Sequence, residues 1–166
     1  PTAISAIVDA GLPVAGIGKI FDIFNGSGIP KSIPTQGNAH GIEVMLEQWA
    51  SFDEGLLFVN LVDFDMLYGH RNNWRGYGDS LMEFDEAIPR IEELCKEGDL
   101  VLITADHGND PTYPGTDHCR ENVPLLAYRP GEQGLNLGSR RTFADIGATC
   151  TRHLGVTWHG AGTPVL

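Results

Sequence analysis

An α/β fold with a mostly parallel sheet and helices on both faces is predicted by three observations. Two continuous apolar runs, residues 56–62 and 100–104, read as strands buried on both faces. Between them, residues 80–96 carry one apolar stripe at helical spacing. Both runs then break off into aspartate and histidine, and ligand-binding loops converge at the carboxyl ends of strands in open α/β sheets.

Each element has its own local reason. Residues 2–11 form the last turns of a helix, closed by Gly11. Residues 12–17 follow as a short buried strand. It ends in Gly16-Ile17-Gly18-Lys19, where glycine lets the backbone approach a ligand closely. Residues 25–38 are rich in Gly, Ser, Asn and Pro and predict a loop. From 39 to 50, Ile42, Met45, Leu46 and Trp49 recur at helical spacing, which core packing explains without any function. The strand at 56–62 runs out into Asp63-Phe64-Asp65 and then Tyr68-Gly69-His70-Arg71-Asn72-Asn73.

In the helix at 80–96, Leu81, Phe84, Ile88, Ile91 and Cys95 make the stripe. Ser80 with Glu83 has the form of a capping box, and Gly98 marks the stop. Pro89 inside it is expected to bend the helix or free a carbonyl. Glu83, Asp85, Glu86, Glu92 and Glu93 are its solvated side. The strand at 100–104 ends in Asp106-His107-Gly108-Asn109-Asp110, and Asp117-His118 lies across Pro111, Pro114 and Gly115. Residues 123–128 predict a third strand and 129–140 a loop. Thr142 and Asp145 are expected to cap a last helix carrying Phe143, Ile146, Cys150 and Leu154, with Gly155 at its end.

Composition limits the function. A chain of 166 residues matches one domain with a real core. Eleven Lys and Arg against 22 Asp and Glu leave a net charge of −11, which argues against nucleic acid as a partner. A small phosphorylated substrate is still compatible, because bound divalent cations supply positive charge locally. Cys95, Cys119 and Cys150 are odd in number and widely spaced, as expected of reduced thiols in a cytoplasmic protein. No stretch approaches the roughly 18 apolar residues of a membrane span. Pro1 is not a translation start, so the chain is expected to be a piece of something longer.

Asp65, His70, Asp106, His107 and His118 are five candidate metal ligands from three loops at one expected sheet edge. Mixed nitrogen and oxygen donors without thiolate suit manganese or zinc, and five exceed the need of one four-coordinate ion. Two ions can hold the attacking and leaving oxygens of a phosphoryl transfer. Asp63 and Asp110 are placed to act as outer partners. A solvent-exposed turn is the plainer explanation of Asp-His-Gly-Asn-Asp, since all of these residues favour turns. His40, His153 and His159 read as structural or exposed. No strand-to-helix turn offers a Ser or Thr nucleophile, and Thr104 reads as a strand residue.

Asn60-Leu61-Val62-Asp63-Phe64-Asp65-Met66-Leu67-Tyr68-Gly69-His70-Arg71, Thr104 through Thr112, Pro114 through His118 and Thr142 through Thr149 together resemble the phosphopentomutases. Gly18-Lys19-Ile20 with Asp22-Ile23-Phe24 extends the resemblance through essentially the whole chain. These are manganese enzymes of the alkaline phosphatase superfamily. The resemblance implies an alkaline-phosphatase-like core, with Asp65, His70 and His118 on one manganese ion and Asp106 and His107 on the other. It implies that Lys19 contacts the sugar phosphate. The family moves phosphate between C1 and C5 of ribose or deoxyribose through a phosphothreonine. Its N-terminal core strand with a further metal-binding Asp, its nucleophilic Thr and its cap domain precede the part matched here. Residues 1–166 are therefore expected to be a single C-terminal segment of such a core, inactive alone, whose partners are a pentose phosphate and the missing N-terminal part. Another metallophosphatase or phosphoglycerate mutase of the superfamily, or a non-catalytic metal-binding module, are the alternatives.

Overall fold

The computed structural model describes all of residues 1–166. Helix α1 (Ala3–Asp9) starts at Thr2, whose hydroxyl accepts from the Ser5 amide while the Ser5 hydroxyl accepts from the Thr2 amide. Strand β1 (Val14–Ile17) follows and is buried at all four positions. It is the middle of a three-stranded parallel sheet, flanked by β2 (Lys31–Ile33) and β3 (Leu56–Val59). Ile17 stands opposite Ile33 on one side and Val59 on the other.

Helices cover both faces of that sheet. Ile17 packs with Ile42, Met45 and Leu46 of α3 (Asn38–Ala50) and with Ala87 and Ile91 of α4 (Trp74–Leu94). Val14, of opposite parity on the same strand, packs with Ile4 and Ile7 of α1 and with Ile20, the first residue of the short turn α2 (Ile20–Ile23). Cys150 and Leu154, on and just after α5 (Ala144–His153), close this second core. Each fully buried isoleucine contributes about 1.5–3 kcal/mol through the surface it removes from water.

The α/β class holds, but five local expectations are corrected, the last of them at α5. Residues 31–33 are a strand and not loop, because β1 offers a free parallel edge that Lys31-Ser32-Ile33 can pair with. The strand expected over 56–62 ends at Val59. The long helix begins at Trp74 and not at Ser80: the Asn73 side chain caps it by accepting from the Gly76 amide at 3.0 Å. Ser80 is thus an interior, buried helix residue. The helix runs on through Pro89 to Leu94.

The fourth correction concerns strand direction. β4 (Val101–Thr104) pairs antiparallel with β5 (Leu125–Tyr128), Val101 opposite Tyr128, in a sheet of its own. Parallel pairing needs a crossover, usually a helix, and Pro111, Pro114 and Gly115 deny one to the connection. The chain instead doubles back, and a further antiparallel bridge joins Gly108 to Cys119. Residues 109–118 become the tip of a long hairpin. No helix is long and apolar enough to cross a membrane.

At α5, the Thr142 hydroxyl accepts from the Ala144 amide, as its capping role requires. Asp145 does not complete that cap. Its carboxylate turns to Arg140 and to the Thr163 amide instead.

Candidate metal centre

Two chain segments build the site. The first leaves β3: Asn60 makes the last ladder bond to Ile17, and the Met66 amide donating to the Val62 carbonyl opens a π-helical turn, Phe64–Tyr68. Asp65 projects from it. Single π turns of this kind are rare and occur often at functional sites. A 3-10 turn, Gly69–Arg71, then carries His70. Asn72, in the left-handed region at φ 53°, ends that turn. Its side-chain amide donates to the carbonyls of Tyr113 (3.1 Å) and Gly115 (2.8 Å), clipping the hairpin tip onto the first segment. The second segment runs from the end of β4 through the hairpin tip and bears Asp106, His107 and His118.

These segments converge on one carboxylate oxygen. Asp65 Oδ1 lies 3.2 Å from His70 Nε2 and 3.2 Å from His118 Nε2. The His107 ring stacks on His118 at 3.6 Å between centroids, and donor atoms of Asp65, His107 and His118 all lie within 4.8 Å of one another. His107 is therefore gathered with the Asp65 group. Asp106, mostly exposed, lies beyond it, with Oδ1 3.6 Å from His107 Nε2. Lys19 reaches the same side, its ammonium 3.0 Å from the sulfur of Met66 beside Asp65.

The imidazole tautomers follow from their other contacts. His70 Nδ1 faces the Thr116 carbonyl and His107 Nδ1 faces the Gly108 carbonyl at 3.2 Å. A carbonyl only accepts, so each Nδ1 must carry the proton. A neutral His70 then turns the lone pair of Nε2 toward the carboxylate of Asp65. Such a contact repels unless a cation lies between the two atoms or the ring is itself protonated. A divalent ion fits this donor set, because donors about 2.0–2.2 Å from a shared ion are about 3.0–3.6 Å apart. Carboxylate oxygen plus imidazole nitrogen suits zinc, manganese or iron.

The outer partners differ from those expected. Asp110 accepts from the amide and hydroxyl of Thr112, bonds that hold its carboxyl below the usual carboxylate range. It is a turn residue. Asp63 points away from the ligands toward the start of α3. The side chain that does touch Asp65 is Asn109, whose amide donates to Oδ1 at 2.6 Å. Tyr77 packs on Phe64, and burial above all, with the nearby Cys119, Asp65 and Asp110, pushes its phenol above the ordinary range. Asn109 lies within the motif run between His107 and Asp110, so its position was readable and its role was not. Thr116 lies within the run Pro114 through His118 but nothing there marks its carbonyl as a partner of His70, and nothing in the sequence marks Tyr77.

Comparison with known proteins agrees with a metal centre. The sequence profile of the Metalloenzyme superfamily matches residues 3–157. A phosphopentomutase of Anaeromyxobacter sp. (strain K) is 54% identical over 155 residues, covering 93% of this chain and 40% of that protein. A phosphopentomutase of Caldanaerobacter subterraneus subsp. tengcongensis is 49% identical over 167 residues, covering 100% of this chain and 42% of its own length. The chain thus spans about two fifths of the relatives it matches.

Proposed function

We propose, from the premise that this chain belongs to the Metalloenzyme superfamily, that it is the metal-bearing C-terminal segment of a phosphopentomutase core. The observation that carries the metal part is the His70 lone pair set against the Asp65 carboxylate, which a divalent cation relieves. Asp65, His70 and His118 hold one manganese ion, and Asp106 and His107 belong to a second. His107 lies close enough to the first group to bring the two sites side by side. When bound, the ions neutralise charge developing on the transferred phosphoryl group. Lys19 supports the phosphate end of the substrate by its charge and its place beside Met66.

The relatives' name, phosphopentomutase, supports the reaction that the resemblance implies. Ribose 1-phosphate or its deoxy analogue and the corresponding 5-phosphate are interconverted, the phosphoryl group passing through a threonine outside these 166 residues. Residues 1–166 are one segment of that core, and the rest of the protein is its partner. Its location is cytoplasmic, a reading supported by three free cysteines.

The test is formation of ribose 5-phosphate from ribose 1-phosphate, with manganese and a sugar bisphosphate activator. The chain alone, its mass verified, is expected to give a rate near background, because nucleophile and metal ligands act as a unit. Adding the complementary N-terminal part of a close relative is expected to raise it. Turnover by the chain alone at the roughly 1–1000 per second usual for enzymes would overturn the segment assignment.

A further inference from the structure

One buried polar side chain joins three elements behind the metal centre and touches none of the ligands. Asn38, 2% exposed, is the first residue of α3. Its backbone amide donates to Asp63 Oδ2 at 2.7 Å, and its side-chain oxygen accepts from the Asp63 amide at 2.9 Å. Its side-chain nitrogen donates to the hydroxyl of Ser80 on α4 at 3.1 Å. Ser80 is itself buried, at 4%. The reciprocal pair fixes both the amide and the carboxylate of Asp63, the residue that opens the π turn bearing Asp65. Gly37 is required beside it: it sits at φ 94°, and a Cβ there would lie 2.7 Å from Asp63 Oδ2.

We propose that Asn38 is a positioning residue for the metal centre, acting through Asp63 to fix the rotation of the turn that aims Asp65. This rests on the metal assignment above. Asparagine suits the site: its oxygen accepts from a backbone amide while its nitrogen donates to a hydroxyl, and it sets no charge beside the Asp63 carboxylate. Aspartate of the same size would lose the donor and set a second carboxylate against Asp63. The Asp63 amide, which can only donate, fixes which way the carboxamide faces, and Ser80 then accepts from its nitrogen. Buried networks of this sort are rigid when every member is satisfied and disruptive when one is not. Beyond the Asn60 bond to Ile17 no ladder bond fixes this segment, so the Asn38 contacts set its register against the two helices.

The experiment measures binding of manganese alone to the purified 166-residue chain, by loss of the free-ion paramagnetic resonance signal, with circular dichroism and thermal melting alongside. Asn38→Asp is expected to keep the helical spectrum and weaken manganese binding about 10–100-fold, as removal of supporting contacts behind metal ligands does. Ser80→Ala is expected to weaken it by several-fold. A folded Asn38→Asp that binds manganese within about twofold of the parent, even with a lower melting temperature, would show a structural role only and overturn the proposal. Should that variant not fold, Ser80→Ala decides by the same criterion. A parent chain that binds no manganese would overturn the metal assignment itself, whereas a binding parent with unaffected variants removes only the role of Asn38.

Discussion

At the scale of single residues, the chain ties down its own C-terminal tail with one carboxylate. Asp145 Oδ1 accepts from the Thr163 amide at 2.8 Å and Oδ2 from Arg140 Nε at 2.8 Å. Thr149 adds a second tie by accepting from the Val165 amide at 3.0 Å. The Thr163 amide first, then Arg140, hold the Asp145 carboxyl below its ordinary value of 3.8. A lowered folded value means that the unfolded chain binds the proton more tightly. Stability from this group is therefore present above about pH 4 and lost as the pH falls through the lowered value. Asp145→Asn is expected to be less stable than the parent at pH 7, the difference shrinking toward pH 2. Denaturant unfolding at both pH values checks this, and an equal gap at both would contradict it. Burial pushes the Cys150 and Cys95 thiols up to about 11, so both are poor nucleophiles at neutral pH.

At the scale of elements, the hairpin tip and the turns after β3 form a unit separate from the cores. They are held to each other by Asn72, Asn109 and His70, and none of their side chains joins either buried cluster. Gly69 leaves room for the Asn109 contact: a Cβ there would lie 2.1 Å from the Asn109 side-chain nitrogen. Gly69→Ala must therefore push Asn109 off Asp65. The expected result is manganese binding weaker by about 10–100-fold with a melting temperature near that of the parent. Calorimetric titration beside a melting curve separates the two effects. Unchanged affinity would mean that Asn109 does not support Asp65.

At the scale of the whole molecule, the surface is too large for the mass. The chain exposes 10312 Å², whereas a folded monomer of 18.0 kDa typically exposes about 8,000 Å². Large apolar side chains contribute to the excess: Leu126 and Tyr128 of β5, and Leu81 and Met82 of α4, are exposed. The edge of β3 is open as well. Leu56 and Asn60 donate to the Pro13 and Ile17 carbonyls, so the alternate amides of Leu57 and Val59 face away from β1. Val59 and Val101 pack against the same core, yet β3 and β4 are not hydrogen-bonded to each other. These features support a core that is completed by more of the protein. The isolated chain is expected to bind a hydrophobic dye and to self-associate at tens of micromolar or so, since open edges and apolar patches favour association. Sedimentation analysis giving a dye-silent monomer would contradict that.

Sequence alone determined what depends on neighbours along the chain. Apolar runs located β1, β3, β4 and β5, because a buried strand needs apolar residues whatever it pairs with. The 3.6-residue period located α3 and most of α4. The run-out of two strands into Asp and His marked the loops that bring Asp65, His70 and His107 near one another. Tertiary structure decided what depends on partners far along the chain. Lys31-Ser32-Ile33 is a strand only because β1 lies beside it, since a strand's hydrogen bonds belong to its neighbour. The direction of β4 against β5 was set by how the loop between them returns. Ser80 with Glu83 has the local form of a helix cap, yet Asn73 caps the same helix two turns earlier. Asn38 and Asp63, 25 residues apart, and Asn109 and Asp65, 44 apart, meet through contacts that no local pattern encodes. A polar side chain announces that it needs a partner, and only the folded chain brings that partner within reach.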